Sequence, residues 1–240
     1  MIHIAKTIWL GQGLYDNDDN DSLGPMISVC QNLMSGLLYS VTNVRRSSML
    51  VVYEIVDYEL PKGKWFCCED CSRIHSALQN LVLRGAEIIP APVSHIINKK
   101  LEEKGLTDEA GNDVQWQLLS GKVASPDHHP LLSKAAAIFL DCFDPIVMCG
   151  RDLVPIMVYG RNLAGQEFGG MYSVVLTVNS IVVSAGILRI FCRVVAELPL
   201  VATSRENQGK GYFQALFSCI ERLLCSLNVE NLVLPASEES

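Results

Sequence analysis

No stretch of this 240-residue sequence is both long and free of charge. The most apolar segment, SVVLTVNSIVVSAGILRIFCRVVAELPLVA at 173–202, contains Asn179, Arg189, Arg193, Glu197 and Pro199. A membrane-spanning helix needs about 20 residues with few or no charges, so no span is expected. Basic excess is missing too. Nineteen Lys and Arg against 26 Asp and Glu give a net charge of −7, and phosphate binding needs clustered cations, so no direct nucleic-acid contact is expected. The opening MIHIAKTIWLGQG lacks a basic region followed by a long apolar core and a small-residue cleavage site, and no secretory signal is read there. Nine cysteines without such a signal point to reduced thiols of the cytosol or nucleus, not a disulfide framework. The dinucleotide fingerprint GxGxxG is absent, because Gln214 follows Gly209 and Gly211, and so is the phosphate loop GxxxxGK[ST]. Dinucleotide redox chemistry and nucleotide hydrolysis therefore have no support. No Ser/His/Asp arrangement and no internal repeat is legible.

What is present separates into four regions. Residues 1–60 mix the acidic run DNDDND at 16–21 with apolar segments that show no clear period and read as poorly defined. Residues 61–85, PKGKWFCCEDCSRIHSALQNLVLRG, give a turn, a cysteine cluster and a helical pattern. Residues 86–130 are punctuated by PAP, GLTDEAGND and SPDHHP around one short helix, and read as a linker. From Leu131 the pattern becomes regular. LLSKAAAIFLDC predicts a helix, and the Val/Ile/Leu-rich runs GGMYSVVLTVN, SIVVSAGILRIF and VAELPLVATS predict strands. Phe213, Leu216, Phe217, Ile220, Leu223 and Leu224 recur at helical spacing, and NLVLPAS closes as a short strand. The sum is an α/β fold on a mixed sheet.

Gly209 and Gly211 stand between the strand ending at ATS and that last helix. A helix N-terminus offers backbone N–H groups and a positive dipole end, and glycines let a phosphate approach the backbone. QGKGYF therefore suits a pyrophosphate with Lys210 as counter-charge; the plainer reading is a tight turn.

From about Leu131 to Ser237 the sequence resembles the GNAT acyl-CoA N-acyltransferase domain, in the version at the C-terminus of plant PHD-finger proteins of the Increased DNA Methylation type. WQLLSGK, LLSKAAAIFLDCFDPIV, DLVPIMVYGRN, GQEFGGMYSVVL, SAGILRIF, AELPLVATSRENQGKGYFQALFSCIERLL and NLVLPA carry the likeness. It implies a mixed, mostly antiparallel sheet flanked by helices, acetyl-CoA as cofactor and a pyrophosphate held by Gln208, Gly209, Lys210, Gly211 and Tyr212. The family motif Q/R-x-x-G-x-G/A fits in two registers. Gln208-x-x-Gly211-x-Phe213 departs at its last position, and Glu206-x-x-Gly209-x-Gly211 begins with an acid. The first is preferred for its spacing from AELPLVATS. The resemblance also assigns the pantetheine arm to backbone groups of Leu200, Val201 and Ala202, and a general base to Glu197. A Glu inside an apolar strand has its charged form disfavoured, which raises its pKa toward a useful range. Tyr212 and Tyr172 are candidate general acids, while Cys192, Cys219 and Cys225 read as core thiols.

KGKWFCCEDC resembles the last portion of a PHD finger, and that likeness selects Cys67 and Cys71, with Cys68 as alternative, as zinc ligands. Structural zinc needs four ligands, a PHD finger eight; upstream there are only Cys30 and His3, so the finger's set is incomplete, and the alternative is a single ion held loosely by Cys67, Cys68, Cys71 and His75. The segment reads as a finger remnant. The chain stops at PASEES, where the family continues with another helix and strand, so an exposed sheet edge and a truncated domain at 131–240 are expected. The implied function is N-acetyltransferase-like action in the nucleus on a histone or other chromatin protein. The alternative is a non-catalytic chromatin-associated module with a degenerate GNAT fold.

Overall fold

Residues 171–203 place Val, Leu, Ile and Ala at consecutive positions instead of alternating them with polar residues. Such strands must be covered on both faces. The computed structural model describes residues 3–8, 66, 68–106, 113–123, 125–163 and 166–236, all within a unit of residues 1–8 and 66–240; the second unit, 9–65, lies outside the described residues.

The strands are β1 (His3–Ile8), β2 (Glu87–Ile88), β3 (Val114–Leu119), β8 (Met171–Val178), β9 (Ile181–Phe191), β10 (Val195–Thr203) and β11 (Asn231–Ala236). Between β3 and β8 lie two small ribbons, β4 (Val147–Met148) with β5 (Arg151–Asp152), and β6 (Asn162–Leu163) with β7 (Gln166–Glu167). The helices are α1 (Glu69–Arg84), α2 (Ala91–Glu103), α3 (His128–Cys142), α4 (Leu153–Val158) and α5 (Tyr212–Ser226).

Seven strands form one sheet in the order β1-β11-β10-β9-β8-β3-β2. Its antiparallel part runs from β10 to β2, and β11 lies parallel to both β10 and β1. Asn179 and Ser180, at φ 49° and 67°, make the two-residue turn from β8 to β9. Left-handed backbone at both positions matches the twist of the flanking strands. Asp152 starts α4, accepting a hydrogen bond on Oδ1 from Val154 N at 2.9 Å.

Two cores sandwich the sheet. One packs α1, α2 and α5 against Leu118, Leu176, Leu188, Leu198 and Leu232. The other packs α3 and α4 against Leu119, Val175, Ile187 and Leu200. Ile220 on α5 is fully buried in the first core. Ile220→Ala deletes buried methyl groups and leaves a cavity, so it is expected to cost about 2–5 kcal/mol in denaturant unfolding.

The fold class agrees with the expectation: a mixed, mostly antiparallel sheet flanked by helices. Two features differ. Residues 86–130, read as a linker, supply β2, α2 and β3 to the sheet and its core. The one short helix was legible in the sequence, but the surrounding loop residues hid the two strands. The edge expected to be open beside β11 is taken by β1, paired from His3↔Asn231 to Ile8↔Ala236. The opening residues are too few and too far from β11 in sequence for this pairing to be legible.

Candidate cofactor and catalytic site

Strand β10 is the centre of the site. It pairs with β9 along its length, but the register shifts between Glu197 and Leu200. On its other side it pairs with β11 only over Val195–Glu197, against Asn231–Val233. Beyond Glu197 the two parallel strands separate, so among the described residues Leu200–Thr203 has a ladder on one side only, and Leu198 and Pro199 sit in the irregularity. Pro199, which has no N–H to donate, sits at this divergence. The side chains of Leu200 and Ala202 are buried against α3 and α4, and Val201 packs on the opposite core. What this segment can offer a ligand is therefore its backbone.

The strand leads into the glycine turn. Ser184 Oγ donates to Ala202 O at 2.8 Å and lies 2.9 Å from Thr203 Oγ1, fixing the strand end. Gln208 Nε2 donates back to Thr203 O at 3.2 Å. Gly211 caps α5 at φ 87° and ψ 0°, with no side-chain cap hydrogen bond. A Cβ there would meet Ile96 O at 3.2 Å and Ile97 Cα at 3.3 Å, so the helix start lies hard against α2. The first-turn N–H groups of any helix lack partners within the helix and carry its positive dipole end.

A cavity of about 320 Å³ opens at this point, lined by Lys100, Thr203, Gln208, Gly209, Gly211 and Phe213 among others. Three lysines surround the turn. Lys104 Nζ donates to Gln208 O at 3.2 Å, Lys210 Nζ donates to Asn207 Oδ1 at 3.5 Å, and Lys100 lines the cavity while pairing with Glu103 at 2.6 Å. Lys100, in α2, and Lys104, its C-cap, escaped the sequence reading. They stand one helical turn apart, a legible spacing, but only the packing of α2 on α5 brings them to the glycines. Phe213, where the motif departs, is 42% exposed and stacks on Phe217 at 6.0 Å, so its ring lies at the cavity rim.

Glu197 opposes Arg189 across the β9–β10 ladder, and both project from the face covered by α3 and α4. Their closest approach is 3.8 Å, with both side chains nearly buried. Burial pushes the Glu197 carboxyl above its ordinary range, and the Arg189 charge only partly opposes this. Arg189 also lies over the Phe191 ring, 4.8 Å from its centre. The two candidate acids are placed otherwise. Tyr172 is on the opposite face of the sheet, its hydroxyl accepting from Gln79 Nε2 at 3.2 Å, and burial pushes its pKa up. Tyr212 is 2% exposed, inside the core between α1, α2 and α5.

Of the cysteines read as core, only Cys219 is buried, its thiol pushed up to about 11 by that burial. Cys225 is exposed, and Cys192 is half-buried in the β9–β10 turn. Cys67 lies outside the described residues, whereas Cys68 and Cys71 open α1. Among the described residues no helix is long and apolar enough to cross a membrane.

Residues 143–240 match the sequence family described as Increased DNA methylation 1, C-terminal domain. The chain is 30% identical over 176 residues to Increased DNA methylation 1 of Arabidopsis thaliana, covering 72% of this chain and 14% of that protein, about one seventh of its length. The likeness stated from the sequence motifs is thus found again. Among solved structures, the chain is similar to Tetrahymena GCN5, at 19% identity and a TM-score of 0.43 over 51% of this chain and 70% of that one. An aminoglycoside acetyltransferase from an uncultured soil metagenomic sample, in complex with sisomicin, gives 12% identity and a TM-score of 0.40 over 52% and 78%.

Proposed function

From this similarity to Increased DNA methylation 1, we propose that the chain binds acetyl-CoA along β10 and at the N-terminus of α5. It acts there as an N-acetyltransferase on lysine side chains of histones or other chromatin proteins, in the nucleus. One observation carries the reading: the one-sided segment Leu200–Thr203 of β10 leads through a short turn to the glycine-capped, lysine-flanked start of α5. An amide-bearing pantetheine arm suits the free strand edge, which offers backbone hydrogen bonds as an added strand would. A pyrophosphate suits the helix start beside Lys100, Lys104 and Lys210.

Acyl transfer needs a neutral amine and a polarised thioester carbonyl. Glu197 takes one proton from the substrate ammonium, directly or through one water, and the neutral amine attacks the thioester carbonyl. A carboxyl held above its ordinary range is the better matched to that task. Backbone N–H groups at the β10 irregularity polarise the carbonyl. CoA thiol then leaves with a proton, and the amine becomes an amide.

The 3.8 Å pairing of Glu197 with Arg189 favours a second reading, a non-catalytic chromatin-associated module whose carboxylate serves only the ion pair. Release of CoA thiol from acetyl-CoA in the presence of histone-tail peptides separates the two. The enzyme reading expects peptide-dependent release and an acetylated lysine by mass spectrometry. Saturable cofactor binding without peptide-dependent release supports the module instead.

A further inference from the structure

Cys68 and Cys192 are 124 residues apart, yet their Sγ atoms lie 3.4 Å from each other. Cys71 joins them, and all three sulfurs fall within 4.8 Å of one another. None of the three is disulfide-bonded. Cys68 is the N-cap of α1, with extended backbone at φ −158° and ψ 170° and no side-chain cap hydrogen bond, and Cys71 is in the first turn. A helix start of this length favours negative charge beside it, hence thiolate. Cys192 contributes from the opposite direction, in the turn between β9 and β10, at φ 55°. That left-handed backbone is one that glycine adopts more easily than a residue with a side chain. Arg73 anchors the other partner: its Nη2 donates to Leu227 O at 2.9 Å, tying the first turns of α1 to the end of α5.

We propose that Cys68, Cys71 and Cys192 form a three-sulfur site for a zinc ion, joining the N-terminus of α1 to the β9–β10 turn. Zinc–sulfur bonds of about 2.3 Å in tetrahedral geometry place two ligand sulfurs about 3.8 Å apart, and the observed cluster brackets that spacing. Binding balances simply. Each thiol gives its proton to solvent as the ion sheds water, and the fourth position keeps a water molecule. The site differs from the finger motif read in KGKWFCCEDC, because its third sulfur comes from the β9–β10 turn, five residues before Glu197. The ion fixes the start of the strand that carries the candidate base, and the assignment stands whether or not acetyl-CoA binds.

The test uses the reduced, metal-free full chain titrated with Co(II) and then with Zn(II). The expected result is one Co(II) per chain with thiolate-to-cobalt charge-transfer absorption, bleached by one equivalent of zinc, and a thermal transition raised by zinc. Cys192→Gly keeps a cooperative metal-free transition, since glycine suits the turn, but loses affinity by at least about a hundredfold, more than a mere supporting contact costs. Cys149→Ser, altering an exposed cysteine elsewhere, leaves binding unchanged. Undiminished affinity in Cys192→Gly assigns the ion to residues 67–71 alone and overturns the proposal. Absence of the charge-transfer band in the unaltered chain overturns it as well.

Discussion

Gly211→Glu is expected to lower acetyl-CoA affinity at least about a hundredfold, the equivalent of about 2.7 kcal/mol. Two effects act together. The new carboxylate sits at the helix start, where it takes up the N–H groups that a pyrophosphate would use and repels its charge. The position is also left-handed at φ 87°, and a Cβ there presses on Ile96 O and Lys100 Cβ at 3.2 and 3.3 Å. A side chain in left-handed backbone costs roughly 1–2 kcal/mol before that clash is counted. Gly211→Ala separates the two contributions. It carries the steric cost without the charge, so it shows a lowered thermal transition with a smaller loss of affinity. Calorimetry beside thermal unfolding of both variants distinguishes a lost site from a lost fold.

Glu197→Gln is expected to reduce the acetyl-transfer kcat by about 10²–10⁴-fold, the usual worth of a positioned general base, with acetyl-CoA affinity little changed. The pH dependence has a definite sign. Burial holds the folded-state carboxyl above its ordinary range. Activity therefore rises with pH through a limb that lies above the ordinary carboxylate range, and that limb is absent in Glu197→Gln. Folding stability moves the other way. Between the unfolded and folded pKa values the native chain holds more protons, so stability is greatest below that window and falls as pH rises through it. Arg189 limits the fall by pairing with the ionised carboxylate at 3.8 Å. Single-turnover kinetics across pH, with unfolding measured in parallel, read both consequences.

Much of this arrangement was legible because its signals are local. Val/Ile/Leu runs ended by Asn179 and Ser180 mark a hairpin, and the period of Leu216, Ile220 and Leu224 marks the amphipathic α5. The glycine pair identified the turn. The remainder depends on separations of a hundred residues. Lys104 beside Gln208, β1 beside β11, and Cys192 beside Cys68 are products of packing. No periodicity encodes them. Cys192 looked like a core thiol because its apolar neighbours in β9 masked a turn, and α2, legible as a short helix, gave no sign that it packs on α5. Tyr212 adjoins the glycines in sequence, but the turn of the helix buries its ring in the core.

The most direct measurement is calorimetric titration of the purified full chain with acetyl-CoA. The account predicts saturable binding of one cofactor per chain, weakened by added salt because Lys100, Lys104 and Lys210 surround the turn. It also predicts that Gly211→Glu abolishes the heat of binding. A chain that unfolds cooperatively yet shows no binding contradicts the assignment of β10 and α5 as an acyl-CoA site.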